Sequence, residues 1–377
     1  MLEREARPGG RIDTIDLARQ RVDMGACFAF DPATLPAGLL VQAGSLIEER
    51  RPIAVWDNGS IRTDATPWGC LAQMGVDPDT RQHIEAVGRG AVGAESLRGT
   101  RAYALLDALL HQIHPGALDH YDIQHQVDGL FTWYPDHWER GNAALTAALL
   151  DHARAELQLG ATVTKVADRQ QWAEVDGIVN GVTTSTRCKV AVIATPADVA
   201  ASLVDGVDAE LKRLLDETRY ASYLVVALAG MASPELARFR SLVPIDGSPA
   251  LVLQQRSRTG ERVVLLCYYR GDDYLELATR ADSELVAMSL ARLASLGIPA
   301  EALSSLDESA VRRWPRAGTV LSTRYLQSRA ARPATGVGRV LLAGDYACAE
   351  QAVGYGIADA INSGLQAARR VRQILAP

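Results

Sequence analysis

The start of the chain constrains its fold most. Residues 2–11 read Leu-Glu-Arg-Glu-Ala-Arg-Pro-Gly-Gly-Arg, so that an acid follows an apolar residue and a glycine pair precedes an arginine. In a βαβ unit that holds a dinucleotide, an acid ending the second strand binds ribose hydroxyls, and glycines let the backbone approach phosphates. Glu3 is placed to be that acid, and Gly9, Gly10 and Arg11 are placed beside a phosphate. The segment predicts the second half of a dinucleotide-binding unit.

A second pattern that predicts a binding site lies near the C-terminal end of the chain. Gly-Gly-Arg also occurs in ordinary surface turns, so the first segment alone leaves that alternative open. Residues 340–345 read as an apolar strand that runs into Gly344 and Asp345, and a helix rich in small residues is predicted for 357–375, just after Gly356. A strand, a Gly-Asp pair and a helix N-terminus together favour a polar, anionic ligand. The two ends together favour a binding site over a turn.

Four segments, in order along most of the chain, resemble the flavin-containing amine oxidase superfamily. This superfamily includes amine oxidases, protoporphyrinogen-oxidase-like enzymes and carotenoid-type desaturases. The segments are the acid and Gly-Gly-Arg of 2–14, the Val-Asp-Met-Gly-Ala of 22–26, the Arg-Gly-Asn of 140–142 with the strand of 161–166, and the Gly-Asp and helix of 343–368. The resemblance implies an α/β fold in which a Rossmann-like, doubly wound FAD-binding domain is interleaved with an α+β substrate domain.

The resemblance also implies which residues bind FAD. They are Glu3, Gly9, Gly10, Arg11, Val163, Gly344, Asp345, Gly356 and Ile357. Glu3 would bind the adenosine ribose, Val163 would pair its backbone with adenine, and Arg11 would lie near the pyrophosphate with the two glycines before it. Asp345 would lie on the ribityl or phosphate side, and the amides that start the C-terminal helix would face the isoalloxazine carbonyl. Asp359 departs from the pattern, because many relatives have a glycine there.

The chain departs from the family at its start. Relatives carry a strand, a Gly-x-Gly-x-x-Gly turn and a helix before the acid, whereas no Gly-x-Gly here follows a hydrophobic strand with a third glycine at the required spacing. The first βα unit is therefore predicted to be missing. Three explanations stay open: a start codon assigned too late, a cloned fragment, or a shortened relative that has lost tight flavin binding. The first two are favoured.

Length and alternating patterns predict two interleaved domains. A chain of 377 residues exceeds the roughly 150 residues of one domain. Predicted strands cover 52–56, 191–194, 223–229, 250–254 and 263–269, and predicted helices cover 101–113, 142–157 and 281–296. The FAD-binding domain is assigned to 1–48, 139–205 and 308–377. The substrate domain, with a helical cap, is assigned to 49–138 and 206–307.

Charge and cysteine content narrow the partners and the compartment. A net charge of -6 argues against nucleic acid, since a phosphate-binding surface needs a basic excess. Five dispersed cysteines without a Cys-x-x-Cys spacing are typical of a reducing compartment. No apolar run reaches the roughly 18 residues that span a bilayer. The sequence thus predicts a cytoplasmic protein with a small-molecule substrate and no integral membrane segment; its oligomeric state is left open.

A cluster of histidines does not predict a metal site. His111 and His114 have a spacing that places two imidazoles on one helix face, but Pro115 and Gly116 end that helix at once. The cap residues near His120 contain many aromatic side chains, which either pack in a core or line a substrate cavity. Both alternatives stay open for the aromatic group of Tyr121, Phe131, Trp133, Tyr134 and Trp138.

The resemblance implies oxidation by a flavin, and the residues narrow the type. In many amine oxidases a lysine on the substrate side holds a water at N5, but no lysine follows Lys212 here. Desaturation of an apolar or heterocyclic small molecule by hydride transfer needs little acid–base help and is favoured. Two alternatives remain: a flavin-free relative that binds a ligand or partner, and an amine oxidase. The Arg-Trp-Pro-Arg-Ala of 313–317 is either a family Trp-Pro segment or a turn beside a strand. No catalytic residue is assigned.

Overall fold

The computed structural model describes residues 1–27, 44–48, 50–57, 59–65, 67–74, 76–88, 98–110, 136–245, 248–331, 336–348 and 356–376. The predictions made for the histidine cluster and for most of the aromatic group fall outside these ranges. The residues concerned are His111, His114, His120, Tyr121, Phe131, Trp133 and Tyr134.

The strands and helices of these residues follow one another in a mixed α/β order. The strands are β1 (Thr14–Leu17), β2 (Gln20–Asp23), β3 (Leu46–Ile47), β4 (Ile53–Asp57), β5 (Ser60–Asp64), β6 (His137–Trp138), β7 (Ala161–Asp168), β8 (Ala173–Val179), β9 (Val182–Cys188), β10 (Ala191–Ile193), β11 (Tyr220–Met231), β12 (Ser241–Pro244), β13 (Leu251–Arg256), β14 (Arg262–Arg270), β15 (Leu306–Thr319), β16 (Gly336–Val337) and β17 (Val340–Leu342). The helices are α1 (Pro67–Gln73), α2 (Pro78–Gly88), α3 (Arg101–Leu110), α4 (Ala143–Ala153), α5 (Ala197–Leu203), α6 (Ala209–Glu217), α7 (Gly271–Leu277), α8 (Asp282–Ser295), α9 (Ala300–Leu303), α10 (Thr323–Ala331) and α11 (Ile357–Leu375), with 3-10 turns at Leu236–Arg238 and Asp345–Ala347.

The largest sheet has seven strands in the order β15, β11, β14, β13, β12, β4, β5. All neighbours are antiparallel except β12 and β4, which are parallel. In β14, Val263 and Leu265 contact one apolar cluster, and Val264 and Leu266 contact another on the opposite face. Successive side chains of a strand point to opposite faces, so a strand covered on both sides is a continuous apolar run. α8 covers one face of the sheet and the β1–β2 hairpin covers the other.

A second core surrounds a short parallel pair near the C-terminus. β10 and β17 are parallel, with Ala191 opposite Val340, and β16 adds an antiparallel edge. Helices α5 and α6 pack on this pair, and Tyr325 and Tyr346 join the same apolar cluster. The parallel strand predicted near residue 191 is therefore confirmed, and the α/β fold class is confirmed with it.

A three-stranded antiparallel sheet, β7–β8–β9, carries the N-terminal segment at its start. Leu2 forms a parallel bridge with Gln158, and the Glu3 amide donates to the Gln158 carbonyl at 2.9 Å. The Ala161 amide in turn donates to the Glu3 carbonyl at 2.9 Å. Residues 2 and 3 therefore pair beside the start of β7 through an isolated bridge and two backbone hydrogen bonds, and they form none of the strands given above.

Element positions agree with the sequence, and the ends of some elements differ. Helix α11 has the predicted bounds, whereas α4 ends at Ala153 because Arg154 adopts a left-handed conformation with φ 48°. β11 is longer than predicted, since it pairs along its length with both β14 and β15. The Trp-Pro segment lies inside β15, so its interpretation as a turn is wrong. The domain bounds stay a prediction, and the bound at 307–308 falls within β15.

Candidate functional site

An ion pair between the two ends of the chain forms the centre of the candidate site. The Arg11 guanidinium lies 2.7 Å from the Asp345 carboxylate and also donates to the Ala317 carbonyl at 3.1 Å. Asp345 is buried, while a third of the Arg11 side chain stays exposed. Burial opposes the charge on Arg11, but the attraction and hydrogen bond of Asp345 outweigh it and raise the Arg11 pKa. Arg11, predicted near the pyrophosphate, and Asp345, predicted on the ribityl or phosphate side, thus lie together, with Arg11 accessible.

The Gly-Asp turn at Asp345 is fixed by side chains from two other elements. Thr319 at the end of β15 donates its hydroxyl to the second carboxylate oxygen of Asp345 at 3.1 Å. The Gly344 amide donates to the Ser363 hydroxyl of α11 at 2.8 Å. Gly344 has a φ of 140°, and a Cβ there would lie 2.9 Å from the Tyr346 ring. Only glycine fits this turn, which follows β17 and is bonded to α11 through Ser363.

The glycine pair lies in a loop that other residues brace. Gly9 has a φ of 107° and accepts a hydrogen bond from the Ile12 amide at 3.0 Å. The Arg7 guanidinium donates to the carbonyls of Gly10 and Ile12 at 3.0 and 2.6 Å. Arg7 also pairs with buried Asp13 at 3.1 Å. The space where a Cβ of Gly10 would project is open, so the backbone there is accessible to a ligand.

Glu3 and Val163 lie at a different part of the fold from Arg11. The Glu3 carboxylate accepts a hydrogen bond from the Glu5 amide at 2.9 Å, and its backbone pairs at the start of β7. Val163 lies two residues farther along β7, opposite Gly177 of β8. A small cavity of about 170 Å³ is lined by Leu2 and Val163 together. Glu3 therefore pairs with the start of β7, the strand that carries Val163.

Gly356 and Ile357 begin the long helix α11. Gly356 has a φ of 111°, and no atom of the described residues lies within 4 Å of the position that its Cβ would take. The helix behind it has 19 residues, so its first amides carry the positive end of a helix dipole. The start of α11 thus suits the anionic or carbonyl group that the resemblance implies. The roles of all nine residues stay predictions.

The residues that follow β2 connect the seven-stranded sheet to the Arg11 loop. The Ala26 amide donates to the Arg11 carbonyl at 2.9 Å, and a Cβ at Gly25 would clash with that same carbonyl. The Trp314 indole of β15 donates to the Met24 carbonyl at 2.7 Å. Gly25 is therefore required for the close approach of the Arg11 loop to the sheet.

An aromatic group on the sheet lies beside this contact. The rings of Tyr223 and Tyr268, on neighbouring strands, pack edge to face with centroids 5.1 Å apart. The Tyr268 hydroxyl donates to the Cys27 sulfur at 3.2 Å. Burial raises the pKa of Cys27 to about 12 and also raises that of Tyr268, so both groups stay neutral near pH 7. Sequence analysis missed these tyrosines, because they occur in an apolar run that looks like ordinary core.

A buried carboxylate holds the N-terminus of α4 against the β1–β2 hairpin. Asp23 accepts hydrogen bonds from the Asn142 amide at 3.0 Å and from the Thr14 hydroxyl. The Ala143 amide donates to the Thr14 hydroxyl at 2.9 Å. Burial raises the pKa of Asp23 to about 7, against the effect of these donors. Asp23 belongs to the Val-Asp-Met-Gly-Ala segment of the resemblance, but its capping contact was not predicted.

The described residues contain neither a metal-binding cluster nor a helix that could span a membrane. No group of three or more histidine, cysteine, aspartate or glutamate side chains there could hold a metal ion. In the part of the chain that the structure covers, no helix combines the length and the apolar character needed to cross a bilayer. None of the five cysteines forms a disulfide: Cys27, Cys70, Cys188, Cys267 and Cys348.

Comparisons with known proteins assign the family and the fold. The family of flavin containing amine oxidoreductases matches residues 70–372. The match leaves out Glu3 to Arg11 and includes Val163, Asp345 and the start of α11. No curated protein matches the chain.

Solved structures with a similar fold have little sequence in common with the chain. A cyclohexylamine oxidase from Brevibacterium oxydans has a TM-score of 0.79 at 14% identity, and the match covers 100% of this chain and 93% of that one. Putrescine oxidase bound to putrescine has a TM-score of 0.73 at 15% identity, with coverage of 100% and 93%. At such identities the likeness concerns the fold alone.

Proposed function

The chain belongs to the flavin-containing amine oxidoreductase family, and from that premise we propose that it oxidises an apolar or heterocyclic small molecule by hydride transfer to the flavin. It is an FAD-dependent oxidoreductase, as its family is. The proposal goes further in the class of substrate and in the type of oxidation. The observation that carries it is the aromatic, uncharged group of Tyr223, Tyr268 and Cys27 on the sheet face next to the Arg11 loop.

The residues around the ion pair fit FAD. Open space beside Gly10 and Gly356 leaves backbone amides accessible, and the partly exposed Arg11 supplies a cation for a phosphate. Bound FAD would supply a two-electron acceptor for a C–H bond next to a π-system or heteroatom. Arg11 and Asp345 would hold the dinucleotide between the two ends of the chain, and the N-terminus of α11 would face its ring. Glu3 and Val163 would bind the adenosine end.

The sheet side would orient the substrate and exclude water. Tyr268 and Cys27 are buried and neutral near pH 7, so they place neither a charge nor a general base beside the Arg11 loop. Trp314 ties this surface to the turn at Met24, which is bonded in turn to the Arg11 loop through Ala26. Such a surface suits an apolar or heterocyclic substrate whose oxidation needs no proton transfer from a side chain.

Anaerobic stopped-flow mixing of the FAD-loaded protein with candidate substrates tests the proposal. We expect bleaching of the flavin absorbance with partly saturated heterocycles or conjugated apolar compounds. Bleaching by simple primary amines alone would overturn the substrate class. An absorption spectrum before and after acid release of the chromophore first establishes the FAD content, so that a missing cofactor is not mistaken for a wrong substrate.

Amine oxidation is the second candidate, because the similar solved structures are of amine oxidases. The absence of a lysine after Lys212 argues against the water-holding lysine of many amine oxidases. Peroxide release from cyclohexylamine or putrescine in air would support this candidate over the first.

The proposed location is the cytoplasm, which the five cysteines outside any disulfide support. We propose a small molecule as the partner and no nucleic acid, in keeping with the net charge of -6.

A further inference from the structure

A groove on the far side of the sheet lies between helix α8 and the edge strand β15. Its volume is about 460 Å³. Its lining residues come from one stripe of α8 and from three consecutive positions of β15: Asp282, Ser283, Val286, Ala287 and Leu290, with Ser309, Ala310 and Val311. The groove contains no residue assigned above to the FAD site or to the aromatic group.

The groove opens onto the edge of the sheet. Val311 packs in the apolar cluster on the α8 face, whereas Ala310 packs against the cluster on the opposite face. Both residues line the groove, which therefore runs along β15 at the edge of the sheet. Among the described strands β15 pairs with β11 alone, so alternate residues of β15 direct their N–H and C=O groups away from the sheet.

The helix side of the groove is apolar and matches a short strand in length. Val286 and Leu290 are partly buried, and Ala287 is exposed between them. The stretch of α8 from Asp282 to Leu290 is roughly 12 Å long. About four residues of an extended chain cover that distance. An extended peptide of this size would place side chains against α8 and backbone groups against β15.

Charge distinguishes the two ends of the groove. Asp282 pairs with Arg313 at 2.8 Å, which places the start of α8 beside the later part of β15. The Leu290 end therefore lies toward Asp307, which is exposed and on the same side of β15 as Val311. Asp307 has no ion-pair partner among the described residues, whereas the Glu308 carboxylate accepts a hydrogen bond from the Ala18 amide of the hairpin at 2.8 Å and lies 3.9 Å from Arg262. This end of the groove is acidic and suits a basic side chain.

We propose that an extended segment of a partner protein, apolar in its middle and basic at one end, binds this groove by pairing with β15 as an additional strand. Main-chain hydrogen bonds to the strand edge supply affinity, and the apolar stripe of α8 with the acidic end supplies specificity. Antiparallel pairing is favoured, and it places the basic C-terminal end of the segment beside Asp307. The site is separate from the oxidation chemistry and does not depend on it.

Fluorescence anisotropy with the FAD-loaded protein tests the proposal. The probe is a labelled peptide amide, Thr-Val-Thr-Val-Lys-Lys, and its matched control carries N-methyl groups on the alternate amides that would pair with the strand. We expect saturable binding of the probe and a loss of at least about tenfold in affinity for the N-methylated peptide. Equal binding of the two peptides, or no saturable binding of either, would overturn strand pairing.

Two variants locate the site on the protein. Ala287→Trp fills the groove and should lower the affinity for the probe at least about tenfold. Ala294 is also exposed on α8 but lies outside the groove, so Ala294→Trp should leave the affinity unchanged. Asp307→Lys should weaken binding by about fivefold and abolish its salt dependence. Unchanged affinity in Ala287→Trp contradicts the proposal. A dimer of the unliganded protein that becomes a monomer in Ala287→Trp would make a second copy the occupant, and would also contradict it.

Discussion

The seven-stranded sheet and the junction of the two chain ends are held together by different forces. In the sheet, β11 and β14 are paired along nine residues and buried on both faces by apolar side chains. At the junction, Arg11, Asp345 and Thr319 come from distant parts of the chain and meet through a few charged or polar contacts. The sheet is therefore stabilised by many equivalent contacts, and the junction by a few specific ones.

This difference separates stability from binding in the same molecule. A buried apolar contact contributes through the area that it removes from water and tolerates small shifts. A charged contact depends on one distance and leaves an unsatisfied group when a partner is removed. The junction keeps Arg11 partly exposed, which suits a ligand but adds little to folding. Substitutions in the sheet should thus lower stability most. Substitutions at the junction should have moderate effects on both stability and ligand binding.

Truncation in the sheet should give the largest effect. Leu265 is fully buried in β14, so Leu265→Ala should lower the free energy of unfolding by about 3 kcal/mol through lost burial and a cavity. Leu275→Ala is the matched control, because Leu275 of α7 is 73% exposed and should cost less than about 0.5 kcal/mol. Urea unfolding measures both. A loss in Leu265→Ala no larger than that of the control would contradict the assignment of stability to the sheet.

The hydrogen-bonded carboxylate between hairpin and α4 should make stability depend on pH. Burial raises the pKa of Asp23 from 3.8 to about 7, so the folded protein keeps a proton that the unfolded chain has released. The contribution of this group is fully present below pH 3.8 and is lost as pH rises through 7. Between about pH 5 and 9 the loss should be about 2.5 kcal/mol.

Asp23→Asn isolates that contribution. Urea unfolding across the same pH range should give a flatter profile in this variant than in the parent protein. Asp16→Asn is the control, since Asp16 lies in the same hairpin with an exposed side chain and should leave the profile unchanged. Parallel profiles for the parent and Asp23→Asn would show that Asp23 does not titrate in this range.

The sequence predicted the sheet and the long helix because their signals are local and repeated. The continuous apolar run of 263–269 marks a strand buried on both faces, and the 357–375 stretch marks α11 with its actual ends. The end of α4 was missed because the left-handed Arg154 has no glycine signal. Local patterns thus predict elements well and their ends less well.

The junction was predictable only in part. The resemblance placed Arg11 near the pyrophosphate and Asp345 on the ribityl or phosphate side, but nothing in the sequence indicated that they pair with each other. Thr319 and the Tyr223–Tyr268 pair gave no signal, because a threonine ending a strand and tyrosines inside one are common. Contacts between residues about 300 positions apart depend on topology, which a local pattern does not contain.

A double-mutant cycle on the ion pair should give a smaller effect than the sheet. Asp345→Asn should lower the free energy of unfolding by about 1.5 kcal/mol, since the carboxylate is buried but Arg11 is partly solvated. Arg11→Gln and the double variant complete the cycle, and we expect a coupling energy of about 1 kcal/mol. Asp216→Asn, at the exposed pair with Lys212, is the control and should cost less than about 0.5 kcal/mol. Strict additivity would mean that the pair does not join the chain ends.

The smallest effect should come from the single hydrogen bond that joins the sheet to the junction. Trp314→Phe keeps an aromatic ring but leaves the Met24 carbonyl without the indole donor, which should cost about 1 kcal/mol. Trp172→Phe is the matched control: the Trp172 indole N–H has no hydrogen-bond partner among the described residues, and its ring lies 5.0 Å from the Arg187 guanidinium, a contact that phenylalanine retains. Urea unfolding should therefore separate the two variants.

Because Met24 precedes the Gly25 contact with the Arg11 loop, Trp314→Phe should also weaken FAD binding, whereas Trp172→Phe should not. Equal FAD affinity in the two variants would mean that the sheet and the junction contribute independently to FAD binding. It would also mean that the aromatic group of Tyr223, Tyr268 and Cys27 does not position the Arg11 loop.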